Sequence, residues 1–330
     1  MSLKEDINFS LWCDFIERDF LENRFQEILK DEIIQGATSN PAIFESSITT
    51  SMAYKQQLDM LQANNTKTIY EELAITDIKR AATLMSDLHK QNVDDGFISI
   101  EVDPLLCDDA AGTIEEGVRL HNTIGADNVM IKVPATEAGY IAMRELTSKG
   151  IHVNATLIFS PAQAIKCAQA LNEGIIESNK NIKAVISVFV SRFDRLCDGD
   201  FANKGLEKSK LGIMNATKCY HEVNKFENEN IRTLFASTGV KGNELAPSYY
   251  VDNLIYPNSV NTAPLGTIED WVIDGSKEES KIPSIEECDE YFAQLKEKGV
   301  DINGIYSKLL TDGLDAFKVS FKELLSKLVK

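Results

Sequence analysis

The 330 residues are 43% hydrophobic, enough for a large core, and carry a formal net charge of −17 with a pI near 4.8. That charge excludes nucleic acid and anionic membrane as partners, and it obliges any anionic substrate to find a local cationic spot. The first residues hold no signal-peptide core and no apolar run could span a bilayer. The six cysteines show neither a C-x-x-C pair nor zinc spacing, so reduced thiols in a cytoplasmic protein are expected.

Phe9–Phe15 reads as a first strand, with Trp12 and Asp14 on one face, followed by helix over Arg18–Asp31. Ile33–Pro41 is a second strand running into a turn at Asn40-Pro41, where Thr38, Ser39 and Asn40 also suit turn chemistry and helix capping. Thr49–Gln91 is mostly helix, broken at Asn64-Asn65-Thr66. Phe97–Val102 is a third strand with Glu101 at its C-terminal end, and helix follows over Asp109–Ile124.

Val129–Val133 is β-branched and apolar, a buried strand stopped by Pro134. Thr136 then caps a helix running toward Gly150. Alternation puts Met130 and Lys132 on one face and Val129, Ile131 and Val133 on the other. In a parallel sheet buried on both faces, Lys132 therefore points inward. Such a lysine either pairs with a carboxylate or serves as an amine nucleophile toward a carbonyl carbon.

His152–Phe159 places His152, Asn154 and Thr156 on one face, and Ser160-Pro161 opens a helix. Ala184–Val190 and Arg232–Ser237 are further strands, with Ser187 and Phe189 sharing a face, and Asp252–Ile255 is the eighth. Pro257–Pro283 reads as a long loop. Ser284-Ile-Glu-Glu287 is a capping box for a helix to about Lys298, and a last helix runs from about Asp312 with Leu314, Phe317, Phe321, Leu324 and Leu328 in one apolar stripe.

Eight strand–helix units predict parallel strands closed into a single (β/α)8 TIM barrel spanning residues 1–330, with the helical extension from about 284 packed on it. Seven strands each carry a polar residue near the C-terminal end: Asp14, Asn40 with Thr38, Glu101, Lys132, Asn154 with Thr156, Ser187 and Ser237. Burying all seven is costly unless they converge on one polar site, as happens at the top of a barrel. That convergence favours the nucleophile for Lys132.

Four stretches, Gly36-Ala-Thr-Ser-Asn-Pro41, Ile131-Lys-Val-Pro-Ala-Thr-Glu-Ala-Gly139, Ile151–Ser160 and Ser187-Val-Phe-Val-Ser-Arg192, resemble those of transaldolases, in the class I aldolase superfamily. The resemblance runs from about Phe9 to the C-terminal helix. It implies a (β/α)8 enzyme of the pentose phosphate pathway that needs no cofactor or metal. Such an enzyme moves a dihydroxyacetone unit from sedoheptulose 7-phosphate or fructose 6-phosphate to glyceraldehyde 3-phosphate or erythrose 4-phosphate. It further implies Lys132 as Schiff-base nucleophile and Asp14 as acceptor of the C4-hydroxyl proton. Glu101 would handle protons through a water also held by Thr156. Asn40 and Asn154 would hold substrate hydroxyls beside Thr38, and Ser187 the dihydroxyacetone end. Arg192 and Ser237 would face the phosphate.

One departure is visible. Many family members carry an arginine two residues after the phosphate-site serine, whereas this chain reads Ser237-Thr-Gly239-Val-Lys241; Lys241 is the expected substitute. The related fructose 6-phosphate aldolases have a tyrosine where Phe189 stands. Alternatives are outright aldol cleavage of that kind, a phosphate-anchored isomerase, and a sugar-phosphate-binding barrel without turnover. Soluble sugar phosphates are the expected partners, for a monomer or homodimer.

Overall fold

A computed structural model describes residues 3–328. Eight parallel strands pair in chain order and close into a barrel. They are β1 (Ser10–Cys13), β2 (Gly36–Thr38), β3 (Phe97–Glu101), β4 (Val129–Pro134), β5 (His152–Ile158), β6 (Ala184–Phe189), β7 (Ile231–Ala236) and β8 (Ser259–Ala263). Closure is made by β1 on β8, from Ser10 opposite Val260 to Cys13 opposite Ala263.

Strand alternation divides the core into two layers. Trp12, Phe97, Met130, Val185, Leu234 and Val260 fill the barrel interior, while Ile98, Ile100, Val129, Ile131 and Val133 face the surrounding helices. The N-terminal end of the barrel is plugged by Arg232, which donates to Asn8 O, Ser10 Oγ and Ser259 O and lies 3.9 Å from Asp95. Polar groups at the other end are thus left for a separate task.

The helix starts follow their caps. Asn40 accepts from Ile43 N to open Pro41–Thr50, Thr136 accepts from Gly139 N, and Ser160 and Ser284 both form capping boxes.

The structure differs from expectation in four places. Arg18–Asp31 is two helices, Arg18–Glu22 and Arg24–Lys30, parted at Asn23. The eighth strand is Ser259–Ala263, inside the segment expected to be loop, and Asp252 instead ends a short helix. Leu254 and Ile255 are fully buried, but the Ile255 N–H donates to Ser280 Oγ and its carbonyl accepts from Ser280 N, outside the barrel. Apolarity there reports burial and not strand pairing. The same segment also holds the helix Leu265–Asp274. The last helix begins at Ile302, capped by Asp301, about a third earlier than its apolar stripe implied.

That last helix, Ile302–Lys327, lies against Pro41–Thr50 and crosses toward the C-terminal ends of the strands. Phe321 meets the Tyr70 ring edge-on at 5.3 Å, and Lys327 pairs with Glu45. Among the described residues, no helix is long and apolar enough to cross a membrane.

Candidate active site

At the C-terminal end of the barrel lies a cavity of about 400 Å³. Asp14, Thr38, Asn40, Lys132, Thr156 and Ser187 line it from the strand ends, and Phe189, Arg192, Ser237 and Lys241 extend it toward the rim. Ten of the twelve side chains singled out from the sequence therefore share one space. Glu101 and Asn154 stand just behind it.

Register brings the ionisable groups together. Glu101 on β3 is opposite Lys132 on β4, and Lys132 is opposite Asn154 on β5. Lys132 is 5% exposed and Glu101 6%, so neither charge is dispersed by solvent. Lys132 Nζ donates to Ser39 O at 3.1 Å and lies 3.8 Å from Glu101 Oε2.

Burial pushes the Glu101 carboxyl up to about 7; Lys132 opposes that shift and Asp14 adds to it. Asp14 is raised by burial too, against the pull of Lys132 and Arg192. Glu101, which holds its proton until about 7, and Asp14, raised by burial, stand beside one amine as an acid–base set.

Neither oxygen of Glu101 nor the Thr156 hydroxyl hydrogen-bonds to another protein group. Buried acceptors left this way are rare outside functional sites. β5 is irregular at this point: its register on β6 shifts between Ala155 and Ile158, and Leu157 has φ 59°. The bulge sets Thr156 on the cavity while turning Leu157 into the barrel interior.

Asn154 is committed within the protein. Its Oδ1 accepts from Ser187 Oγ at 2.6 Å and its Nδ2 donates to Ser99 Oγ at 3.0 Å. The amide therefore orients Ser187, and one amide hydrogen remains for another partner. Asn40 spends its oxygen on the Ile43 N–H, which leaves its amide nitrogen toward the cavity.

The rim is built to receive an anion. The helices Ser191–Lys204 and Leu265–Asp274 both begin there, and neither has a side-chain N-cap. The Ser191 N–H is taken by Ser237 O, and the dipoles of both helices favour negative charge. Ser237 adopts φ 56° at the end of β7, a strained value for a side chain with a Cβ, with its hydroxyl 3.2 Å from that of Ser191. The guanidinium of Arg192 lies 4.9 Å from the Phe189 ring centroid.

Sequence reasoning missed several wall residues, chief among them Phe317 and Arg195. Phe317, on the last helix, sets its ring 5.9 Å from Lys132 Nζ. The apolar stripe signalled that this helix docks; nothing in it signalled where. Arg195 sits one helical turn beyond Arg192, and that spacing was the available clue. Among the described residues, no three His, Cys, Asp or Glu side chains gather as metal ligands.

The family described as Transaldolase/Fructose-6-phosphate aldolase matches residues 11–328. A relative from Helicobacter pylori (strain Shi470), named Transaldolase, is 46% identical over 96% of this chain and 98% of its own. Another of that name, from Campylobacter jejuni subsp. doylei (strain ATCC BAA-1458 / RM4099 / 269.97), is 46% identical over 97% of this chain and 99% of its own. A match over nearly the whole length, on a barrel with its polar residues gathered at one end, means that this chain belongs to the transaldolase/fructose-6-phosphate aldolase family.

Proposed function

We propose that this chain is a transaldolase of the pentose phosphate pathway, working through a Schiff base on Lys132. The observation that carries the proposal is the buried Lys132–Glu101 pair, at 3.8 Å, at the inner end of a cavity whose rim is cationic. The donor is sedoheptulose 7-phosphate or fructose 6-phosphate; the acceptor is glyceraldehyde 3-phosphate or erythrose 4-phosphate.

Lys132 must lose a proton before its nitrogen can add to the donor's C2 ketone, and Glu101 is the adjacent acceptor. A carboxyl titrating at about 7 can take that proton and return one to the departing carbinolamine hydroxyl. A water held between Glu101 and Thr156 would carry it, and the free acceptors of both side chains support this. Loss of water leaves an iminium. Asp14 then takes the proton of the C4 hydroxyl and the C3–C4 bond breaks. Its electron pair flows into the iminium as an enamine, and the aldose phosphate departs. Addition of the enamine carbon to an acceptor aldehyde, with the proton returned from Asp14, reverses the sequence.

Thr38 and Asn40 are assigned to substrate hydroxyls, Ser187 to the dihydroxyacetone end with Asn154 orienting it, and Arg192, Ser237 and Lys241 to the phosphate. Phe189 supports transfer over simple cleavage, since an apolar ring supplies no proton donor beside the enamine. We place the enzyme in the cytoplasm, as a monomer or homodimer, in keeping with six free, buried cysteine thiols.

The test is borohydride reduction in the presence of fructose 6-phosphate, followed by mass spectrometry. The peptide containing Lys132 should gain the reduced dihydroxyacetone unit and Lys132→Ala should not. An adduct on a different lysine, or none, defeats the proposal. Release of free dihydroxyacetone at full rate without acceptor would move the assignment to the aldolase side of the family.

A further inference from the structure

Arginine pairing in this chain divides sharply. Arg18, Arg24, Arg80, Arg119, Arg144 and Arg232 each lie within ion-pair distance of a carboxylate. The other two, Arg192 and Arg195, form no ion pair and donate no hydrogen bond among the described residues. Both line the same cavity. They are three residues apart on the helix Ser191–Lys204, so their side chains leave the same face.

They are also close enough to repel. After burial, the Arg195 guanidinium is the next largest influence lowering the pKa of Arg192. In a chain with a net charge of −17, carboxylates are plentiful, yet none pairs with either guanidinium; Asp312 and Asp14 act on Arg192 only through space, beyond ion-pair distance. Asp194, between the two in sequence, turns the other way, accepting from Gly212 N and Tyr250 Oη. Asp312, on the last helix, is held by Lys308 at 2.8 Å. Two guanidiniums one helical turn apart, neither in an ion pair among the described residues, line the cavity at an uncapped helix start and are available to an anion that the protein itself does not provide.

We propose that Arg195 is the second guanidinium of the phosphate subsite, gripping the substrate phosphate together with Arg192. This rests on the proposed transaldolase function and adds to it the source of the second charge. Backbone packing explains why that charge comes from position 195. A Cβ built on Gly239 would stand 3.0 Å from Pro264 Cγ and 3.3 Å from its Cδ. A proline ring at the start of a helix has little freedom to move aside. Any side chain at position 239 is thereby crowded by that ring, and a helical turn that already carries Arg192 supplies the charge instead. Lys241, exposed at the rim, offers a point charge without the planar fork that matches two phosphate oxygens.

The experiment uses the full chain as wild type, Arg195→Ala, Arg195→Lys and Lys241→Ala. It compares transfer to glyceraldehyde 3-phosphate with transfer to glyceraldehyde, and measures competitive inhibition by inorganic phosphate. In Arg195→Ala the preference for the phosphorylated acceptor, as a ratio of kcat/KM values, should fall by about 10-fold or more, in line with loss of a charge-assisted hydrogen bond. The loss should appear in KM, with the phosphate inhibition constant rising in step, and Arg195→Lys should fall between. If Arg195→Ala keeps the full preference while Lys241→Ala loses it, the second charge is Lys241 and the proposal is overturned. If the wild type itself shows no preference for the phosphorylated acceptor, the phosphate site as a whole is overturned; that result is distinct from failure at Arg195 alone.

Discussion

Replacing Glu101 with glutamine should make the protein more stable and less active, and the stability gain should depend on pH. Glu101 is almost fully buried, and its carboxyl is raised from the ordinary 4.5 to about 7. In the unfolded chain it ionises near 4.5, whereas in the folded protein it keeps its proton until about 7. Folding is therefore increasingly penalised as pH rises between those values, and penalised by a constant amount above them. At roughly 1.4 kcal/mol per pH unit, the gap amounts to about 3 kcal/mol. Lys132 is already counted in that figure, because it opposes the shift. Glutamine resembles the protonated carboxyl at every pH, so Glu101→Gln should recover about 2–3 kcal/mol at pH ~8 and almost nothing at pH ~4.5. Urea unfolding of both proteins across this range gives the difference directly. Transfer activity should drop at least about 100-fold, since an amide cannot accept the Lys132 proton. A gain that does not vary with pH, or a variant less stable than wild type at pH ~8, would show that Glu101 is not held as a strained carboxylate.

Three further outcomes follow from the cavity walls. Phe189→Tyr should retain the Schiff base but release more dihydroxyacetone from fructose 6-phosphate without acceptor, because the new hydroxyl can position water or pass a proton; a folded, donor-binding variant with no such gain would make Phe189 mere filling. Phe317→Ala removes the ring 5.9 Å from Lys132 Nζ and should raise acceptor-free release by admitting water, while costing about 3–5 kcal/mol as a large-to-small core change; unchanged partitioning between release and transfer would limit Phe317 to packing. Gly36→Ala would put a Cβ 2.6 Å from the fully buried Trp12 indole, so thermal unfolding should show a loss of about 1–3 kcal/mol; an unperturbed melting temperature would mean that the indole can move aside.

The parts of the site legible in the sequence were those carried by strand alternation. Lys132, Glu101, Asp14 and Ser187 each announced themselves as polar residues out of keeping with an apolar run, and parallel pairing brought them to one end. What stayed hidden was what alternation does not encode. The bulge at Ala155–Ile158 shifts the phase of β5, and no residue there marks it. β8 was obscured by its own polarity: Thr262 turns to the cavity and Asn261 accepts from Thr238, so the strand reads as loop. Asn154 could be placed on the inward face, but its engagement by Ser187 and Ser99 depends on three-dimensional spacing between strands. Phe317 and Arg195 come from helices, where periodicity tells which face is used but not which neighbour receives it.

The last helix also bears on the order in which the protein is made. β8 begins 249 residues after β1, from Ser10 to Ser259, which at ribosomal speeds of about 5–20 residues per second separates the two closing strands by roughly 12–50 s. Phe317 emerges later still. A nascent chain thus holds Asp14, Glu101 and Lys132 well before it has a closed barrel or a ring above the amine. A chain cut short ahead of Ile302 would keep those three residues and lose the cover over Lys132. The Phe317 ring over the amine is therefore among the last parts of the cavity wall to be made, and incomplete chains carry Asp14, Glu101 and Lys132 without it.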